Sequence, residues 1–165
     1  MACGSSSPSP RYAPFTASTK DTLYLWGGYE DQEPEAVFLY NANTETWTKK
    51  LTKGPHPPAG LGDGGCSIAG QHLYLYGGSD GSSYSGSLYQ LNTDTWTWRE
   101  LCNGSSKGGP GKKSGCRMVT YQDQLWVVGG YYGLSKTPKS RQSGSRYEDG
   151  FTNEVHCYSL TTGIV

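Results

Sequence analysis

The hexapeptide Leu73-Tyr74-Leu75-Tyr76-Gly77-Gly78 is an apolar run closed by two glycines, and runs of this kind occur three times in the chain. Residues 23–28 read Leu-Tyr-Leu-Trp-Gly-Gly, and residues 125–130 read Leu-Trp-Val-Val-Gly-Gly. The copies recur with a period of about 50 residues, a spacing typical of repeat proteins whose units are single supersecondary elements. Each run predicts a buried strand that ends where two backbones approach closely.

A second motif follows each of the first two glycine pairs. Residues 40–47 read Tyr-Asn-Ala-Asn-Thr-Glu-Thr-Trp, and residues 89–96 read Tyr-Gln-Leu-Asn-Thr-Asp-Thr-Trp. The Asn, Asp and Thr residues favour a hairpin turn, and the tryptophan is large enough to fill the space between neighbouring units. In the third unit the same frame begins at Tyr158 and places Val165 where a tryptophan would stand.

The combination of a Gly-Gly strand, a tyrosine and a spaced tryptophan resembles the kelch motif. The resemblance implies an all-β fold, a β-propeller of kelch type of which the chain supplies about three blades. Two blades are expected to be complete, and the third to lack its last strand. The expected divisions are a disordered Ser/Pro-rich N-terminus over residues 1–11 and kelch blades over about 12–51, 62–101 and 114–165.

In each blade the innermost strand is expected first and the Gly-Gly strand second. The innermost strands are expected near residues 12–18, 65–69 and 116–121, and the fourth strands at 46–51 and 95–101. Propellers close with about four to eight blades, so three blades cannot form a ring. The chain is therefore expected either to be a piece of a longer protein or to be completed by a partner, a homodimer included.

The composition supports many short strands and argues against several kinds of function. There are 24 Gly, 9 Pro and 13 Tyr against 2 Met, which favours strands and tight turns over helices. The formal net charge is zero, so no global electrostatic attraction to nucleic acid or to an anionic membrane is expected. Five cysteines without a Cys-x-x-Cys pair predict neither a disulfide framework nor a metal site. No secretory leader is visible, which predicts an intracellular protein of the cytoplasm or nucleus.

Enzymatic motifs are weak. Residues 108–114 partly match a phosphate-binding loop, but Ser106 and Lys113 stand where the motif requires Gly and Ser or Thr. The three histidines, His56, His72 and His156, lie on different elements without a nucleophile beside them. The sequence therefore predicts a protein that is not an enzyme and needs no cofactor. A copper-oxidase-like propeller enzyme is the catalytic alternative, and it would need a Tyr and His cluster drawn from several blades.

A basic and aromatic insertion separates the second and third strands of the third blade. It runs from Tyr131 to about Thr152 and includes Arg146 and Phe151. The link into the third blade carries Lys107, Lys112 and Lys113, and both kinds of loop emerge on one face of a propeller. One interpretation is a solvated loop whose charge aids solubility. The other is a site for an acidic or carboxylate-bearing segment, bound by charge-assisted hydrogen bonds and aromatic contacts.

Several strings are similar to one subgroup, the kelch domain-containing substrate receptors of cullin-RING ubiquitin ligases, which recognise C-terminal degrons ending in glycine. These strings are residues 25–29 (Leu-Trp-Gly-Gly-Tyr), 121–125 (Tyr-Gln-Asp-Gln-Leu) and 153–156 (Asn-Glu-Val-His). The resemblance implies that Tyr29 and Tyr131 line a peptide pocket. It also implies that Phe151 replaces a family tryptophan, while Asp149 stands where the subgroup has an arginine.

These observations predict a protein- or peptide-binding kelch module, with ubiquitin-ligase components among its partners. A cytoskeletal scaffold of the actin-binding kind is the alternative. The candidate peptide-binding residues are Tyr29, Tyr131, Lys112, Lys113, Arg146 and Phe151. The residues expected to carry the kelch motif are Gly27, Gly28, Tyr40, Trp47, Gly77, Gly78, Tyr89, Trp96, Gly129, Gly130 and Tyr158.

Overall fold

The computed structural model describes residues 6–104, 109–132 and 150–163, and these residues form eleven β-strands and no helix. The strands are β1 (Phe15–Ser18), β2 (Thr22–Trp26), β3 (Ala36–Asn41), β4 (Thr46–Leu51), β5 (Gly65–Ala69), β6 (His72–Tyr76), β7 (Leu88–Asn92), β8 (Thr97–Cys102), β9 (Arg117–Tyr121), β10 (Gln124–Val128) and β11 (Val155–Ser159).

The strands form three sheets in chain order, which we call blades one to three. Their orders are β1-β2-β3-β4, β5-β6-β7-β8 and β9-β10-β11, and all neighbours within a sheet are antiparallel. The first strands β1, β5 and β9 lie beside one another, as the innermost strands of a propeller do. The prediction of a partial kelch-type propeller is confirmed, with two four-stranded blades and one three-stranded blade in the described part of the chain.

The glycine pairs are required where one blade meets the next. Gly27 and Gly77 have φ of +63° and +69°, a left-handed conformation that favours glycine. A Cβ at Gly27 would lie 2.6 Å from the Leu61 carbonyl oxygen, and one at Gly77 would lie 2.6 Å from that of Lys113. The second glycine of each pair donates its amide to the same carbonyl, at 2.8 Å. Each pair therefore ties its blade to the link that enters the following blade.

The turn after the third strand sets the register of the tryptophan motif. Asn41 Oδ1 accepts hydrogen bonds from the amides of Asn43 and Thr44, each at 2.9 Å. Asn92 Oδ1 accepts from the two amides at the same spacing, those of Asp94 and Thr95. Asn41 and Asn92 therefore occupy equivalent positions in the turns of blades one and two.

This register makes Trp98 the counterpart of Trp47. Trp47 pairs with Tyr40, and Trp98 pairs with Leu91 at the same place in blade two. Trp96 instead lies in the turn with a φ of +54°. The sequence frame that matches Trp96 with Trp47 thus differs by two residues from the structural one. The cause is the Thr-Trp-Thr-Trp string, which offers two tryptophans.

The first interblade core lies between blades one and two. Trp98 is 1% exposed, and its ring packs edge-on against Trp26 at 5.8 Å. Its Nε1 donates to Thr52 Oγ1 at 3.0 Å, so the indole is both buried and satisfied. The buried residues of this core are Phe15, Trp26, Val37, Leu61, Leu73, Leu75, Leu91 and Trp98.

The second interblade core lies between blades two and three. Its buried residues are Tyr74, Tyr76, Leu88, Cys116, Met118, Leu125 and Val127. A narrow apolar groove of about 20 Å³ borders it and is lined partly by Tyr76, Leu88, Cys102 and Tyr158. Trp98 of the fourth strand of blade two closes the first core against Trp26. Blade three has no fourth strand in the described chain, and the groove lies at the corresponding place in the second core.

The far face of blade three is open and apolar. Val119, Tyr121, Val128 and Val155 are 44–61% exposed, and they alternate with the residues that pack against blade two. The edge of β11 has no neighbouring strand in the described chain.

Candidate peptide-binding face

Three isolated bridges mark one face of the molecule, which we call the loop face. In each blade, the link into the first strand pairs with the residue just after the Gly-Gly pair. The bridges join Tyr12 to Tyr29, Gly62 to Ser79 and Ser114 to Tyr131. The loops after the second strands and the links before the first strands therefore share a face, as the sequence predicts.

A first-blade aromatic pair lies on this face. The Tyr12 and Tyr29 rings stack with centroids 5.8 Å apart and an interplanar angle of 17°. Tyr12 is 73% exposed, which is unusual for a large aromatic ring held by main-chain pairing on both sides. The exposed ring offers a flat apolar surface with a polar hydroxyl.

A third-blade aromatic cluster combines residues from two blades. The Tyr131 ring lies 5.1 Å from Phe151, edge to face, and 6.0 Å from Tyr84 of blade two. Phe151 is 66% exposed. Gly150 shapes the approach, because a Cβ there would lie 2.7 Å from the Tyr132 carbonyl oxygen. The structure thus places Tyr131 and Phe151 in contact, while Tyr29 lies in the separate first-blade pair.

Lys113 is buried, in contrast to its neighbour Lys112. The Lys113 side chain is 0% exposed, whereas Lys112 is exposed. The Lys113 ammonium lies 4.4 Å from the Tyr132 ring centroid and 3.8 Å from Glu154 Oε2. Burial lowers the pKa of Lys113 below its ordinary value of 10.5, against the opposing effect of the Glu154 carboxylate. Lys113 does not present its charge on the loop face. Arg146 lies outside the described residues.

Tyr132 and Glu154 form the polar base of the third-blade loop. The Tyr132 hydroxyl lies 2.6 Å from Glu154 Oε2 and 2.8 Å from the Pro110 carbonyl oxygen, so these two acceptors share its single proton. His156 Nε2 is 3.3 Å from the same carboxylate oxygen. The amide of Tyr132 donates to the Gly150 carbonyl at 2.6 Å. The two ends of the segment 133–149 are therefore joined by both main-chain and side-chain contacts.

Arg11 occupies the equivalent of Lys113 in blade one. Its Nη1 donates to Asp31 Oδ1 at 2.9 Å and to the Gly27 carbonyl at 3.1 Å, while Nε donates to the Ser9 carbonyl at 3.1 Å. The guanidinium also lies 5.1 Å from the centroid of the Phe38 ring. The side chains of Arg11 and Asp31 are 3% and 0% exposed. Arg11, the last residue of the stretch expected to be disordered, is thus held firmly against blade one.

Arg117 is an exposed cation that the candidate list omits. It is the first residue of β9, its side chain is 74% exposed, and it lies 3.9 Å from Asp63 Oδ1. Both residues line a cavity of about 210 Å³ where the inner strands begin, together with Ala13, Pro14, Thr16, Gly64, Cys66 and Met118. The only sequence signal was a charged residue at the start of an inner strand, where the other blades have Phe15 and Gly65.

Titratable clusters give no sign of metal chemistry in the described ranges. No group of three or more His, Cys, Asp or Glu residues could hold a metal ion there. Burial raises the pKa of the Cys66 and Cys116 thiols, so both are protonated at neutral pH. Among those same residues, none forms a helix long and apolar enough to cross a membrane.

Known proteins are similar to this chain over most of its length. The family model described as the KLHDC2/KLHL20/DRC7 Kelch-repeats domain matches residues 3–164. Kelch domain-containing protein 1 of Mus musculus is 34% identical over 160 residues, which covers 85% of this chain and 38% of that protein. Kelch domain-containing protein 3 of Bos taurus is 31% identical over 128 residues, covering 74% and 32%. The chain thus spans about a third of the length of these relatives.

A more distant relative is the host cell factor of Drosophila melanogaster. It is 26% identical over 136 residues, which covers 81% of this chain and 9% of that protein.

Proposed function

Since this chain belongs to the KLHDC2/KLHL20/DRC7 kelch-repeat family, we propose that it is a protein-binding propeller module whose loop face receives a short peptide. The observation that carries the proposal is the third-blade aromatic cluster, in which exposed Phe151 packs edge-on against Tyr131. Exposed aromatic rings held in place by a rigid scaffold are the residues that most often dominate protein interfaces.

The proposed peptide class rests on two exposed cations of blade three and of the link that enters it. Arg117 lies at the cavity where the inner strands begin, and Lys112 is exposed on the link into blade three. Arginine binds carboxylates through paired, charge-assisted hydrogen bonds, which suits a C-terminal carboxylate or an acidic side chain. We therefore propose that the ligand is a C-terminal segment, and that the module serves as the substrate-recognition part of a ubiquitin ligase.

Peptide binding tests this proposal directly. A fluorescein-labelled decapeptide ending in Gly-Gly with a free carboxylate is titrated with the protein and followed by fluorescence anisotropy. The same peptide with an amidated C-terminus is the matched probe. We expect the free acid to bind at least tenfold more tightly, because loss of one charge-assisted pair costs about 1.5–3 kcal/mol. Equal binding of both peptides would contradict the proposal that the C-terminal carboxylate is recognised. If neither peptide binds, the proposal of a peptide-binding face is contradicted.

Variants locate the bound peptide on the molecule. Phe151→Ala removes an exposed aromatic ring from the loop face. Tyr121→Ala removes an exposed aromatic ring from the last residue of β9, at the end of that strand away from the loop face. We expect the first variant to weaken binding about tenfold or more and the second to leave it unchanged. Arg117→Gln should reduce the preference for the free acid over the amide, whereas Lys49→Gln, on the outer strand β4, should not.

Assembly is proposed separately. We propose that two copies complete a ring by packing the far face of blade three, which includes Val119, against the face of blade one on which Tyr40 pairs with Trp47. Light scattering during size-exclusion chromatography measures this, and a single monomeric mass at all concentrations would contradict it.

A further inference from the structure

The position before the loop-face bridge differs among the three blades in a regular way. It is Arg11 in blade one, Leu61 in blade two and Lys113 in blade three, because each residue directly precedes a bridge partner of the loop face. The two blades with a cation here carry Tyr29 and Tyr131 after the Gly-Gly pair. Blade two, which has leucine here, carries Ser79 instead. A buried cation therefore accompanies each aromatic residue of the loop face that follows a Gly-Gly pair.

Lys113 contacts every element that surrounds the third-blade aromatic cluster. Its amide donates to the Ser85 carbonyl at 3.0 Å, next to Tyr84. Its carbonyl accepts from Gly78 at 2.8 Å, and its ammonium lies over the Tyr132 ring and beside Glu154. Tyr132 precedes the segment 133–149 and Glu154 follows it. The main chain of Lys113 thus bonds to blade two, while its side chain contacts the residues at both ends of that segment.

A buried ammonium is expensive at this place and makes no direct hydrogen bond there. Its nitrogen is fully buried, the carboxylate is 3.8 Å away, and the remaining attraction is a cation–π contact. Replacing a buried charge with an apolar side chain of similar size is often neutral or stabilising. Folding stability alone therefore does not explain a lysine at this position, which points to a different role.

We propose that Lys113 is a positioning residue that holds Tyr131 and Phe151 in their ligand-binding arrangement without touching the ligand. The inference rests on the proposed function. Lys113 acts through Tyr132, which is next to Tyr131, and through Glu154, which follows Phe151 on the same strand-entering segment. A cation in a fixed site orients the tyrosine ring by its quadrupole and the carboxylate by its charge, in addition to the hydrogen bonds that Tyr132 and Glu154 already make. Leucine or methionine would supply neither of these two interactions.

The test compares Lys113→Met with Lys49→Met, which removes an exposed lysine from the outer strand β4. We expect Lys113→Met to keep or raise the unfolding midpoint, yet to weaken binding of the Gly-Gly free-acid peptide about tenfold. Lys49→Met should change the affinity less than about threefold, because it removes a surface charge away from the loop face. Lys113→Arg should recover most of the affinity, since the equivalent site of blade one holds arginine.

Hydrogen exchange of the free protein provides a readout that needs no ligand. The amides of Tyr132 and Thr152, which donate to the Gly150 and Gly130 carbonyls, should exchange faster in Lys113→Met, and their exchange should be unchanged in Lys49→Met. Unchanged exchange and unchanged affinity in Lys113→Met would overturn the inference. So would a loss of affinity matched by a loss of thermal stability. If wild-type protein binds neither peptide, the proposed function fails, and the exchange comparison still decides whether Lys113 orders the loop base.

Discussion

Blades one and three both bury a cation between the link into the first strand and their own second-to-third-strand loop, but they bury it differently. In blade one, Arg11 makes close hydrogen bonds to Asp31 and to two main-chain carbonyls. In blade three, Lys113 lies over an aromatic ring with its carboxylate 3.8 Å away. The planar fork of arginine can satisfy several fixed acceptors at once, while the ammonium of lysine is a point charge. The cation of blade one is thus fixed by several hydrogen bonds, whereas the cation of blade three is held only by a cation–π contact and a longer ion pair.

Arg11→Met should have the largest effect on stability. It leaves the Asp31 carboxylate buried without its partner, so we expect a loss of about 3–5 kcal/mol in the free energy of unfolding, measured by urea denaturation. The double variant Arg11→Met, Asp31→Asn removes the stranded charge while keeping the oxygen that accepts from Glu33, and it should recover most of the loss. A single variant that loses less than Lys113→Met would contradict the contrast between the blades.

The glycine pairs provide the next comparison. A Cβ at Gly27 would lie 2.6 Å from the Leu61 carbonyl oxygen on the link into blade two, whereas the closest described atom to a Cβ at Gly129 is the Thr152 oxygen at 3.4 Å. Both have positive φ, so alanine at either should cost about 1–2 kcal/mol in backbone strain. Gly27→Ala should cost more, because the facing carbonyl must also move. Equal losses of unfolding free energy in the two variants, measured by calorimetry, would mean that the contact with the Leu61 carbonyl adds nothing to the cost of alanine at Gly27.

The pH dependence of stability offers a finer test of the Lys113 site. The folded pKa of Lys113 lies below its unfolded value of 10.5, so the unfolded chain binds more protons between the two values. Stability contributed by this residue must then rise with pH as pH approaches 10.5. We expect the unfolding free energy of wild type minus that of Lys113→Met to increase over this range, with tyrosine titration cancelling between them. A constant or falling difference would show that the pKa of Lys113 is not lowered in the folded protein.

The smallest effect is expected at the surface of blade one. Lys49 and Glu33 form an ion pair at 2.6 Å, but their side chains are 36% and 33% exposed. Lys49→Ala should therefore lose less than about 1 kcal/mol, and the loss should vanish in high salt. A loss approaching that of Arg11→Met would show that burial is not what separates the two pairs.

Much of the fold could be predicted from the sequence, because the repeat itself carries it. The glycine pairs, the three blades and their strand order follow from local patterns at a fixed period. The tryptophan register could not be read reliably, because Trp96 and Trp98 both follow a threonine, and only the Asn92 turn decides between them. The candidate binding site was harder to predict than the fold. Lys113 is charged and follows another lysine, and its burial depends on Tyr132 and Glu154, which lie far along the chain.

The outer edge of β11 has a consequence for the behaviour of the protein in solution. Within the described chain no strand pairs with this edge, and it adjoins an exposed apolar face that includes Val119 and Val155. Such an edge can extend its sheet by accepting a compatible strand, and a nearby apolar face makes the contact more favourable. The state of the protein should therefore depend on its concentration: dilute samples are expected to hold separate molecules, and concentrated samples are expected to associate through blade three.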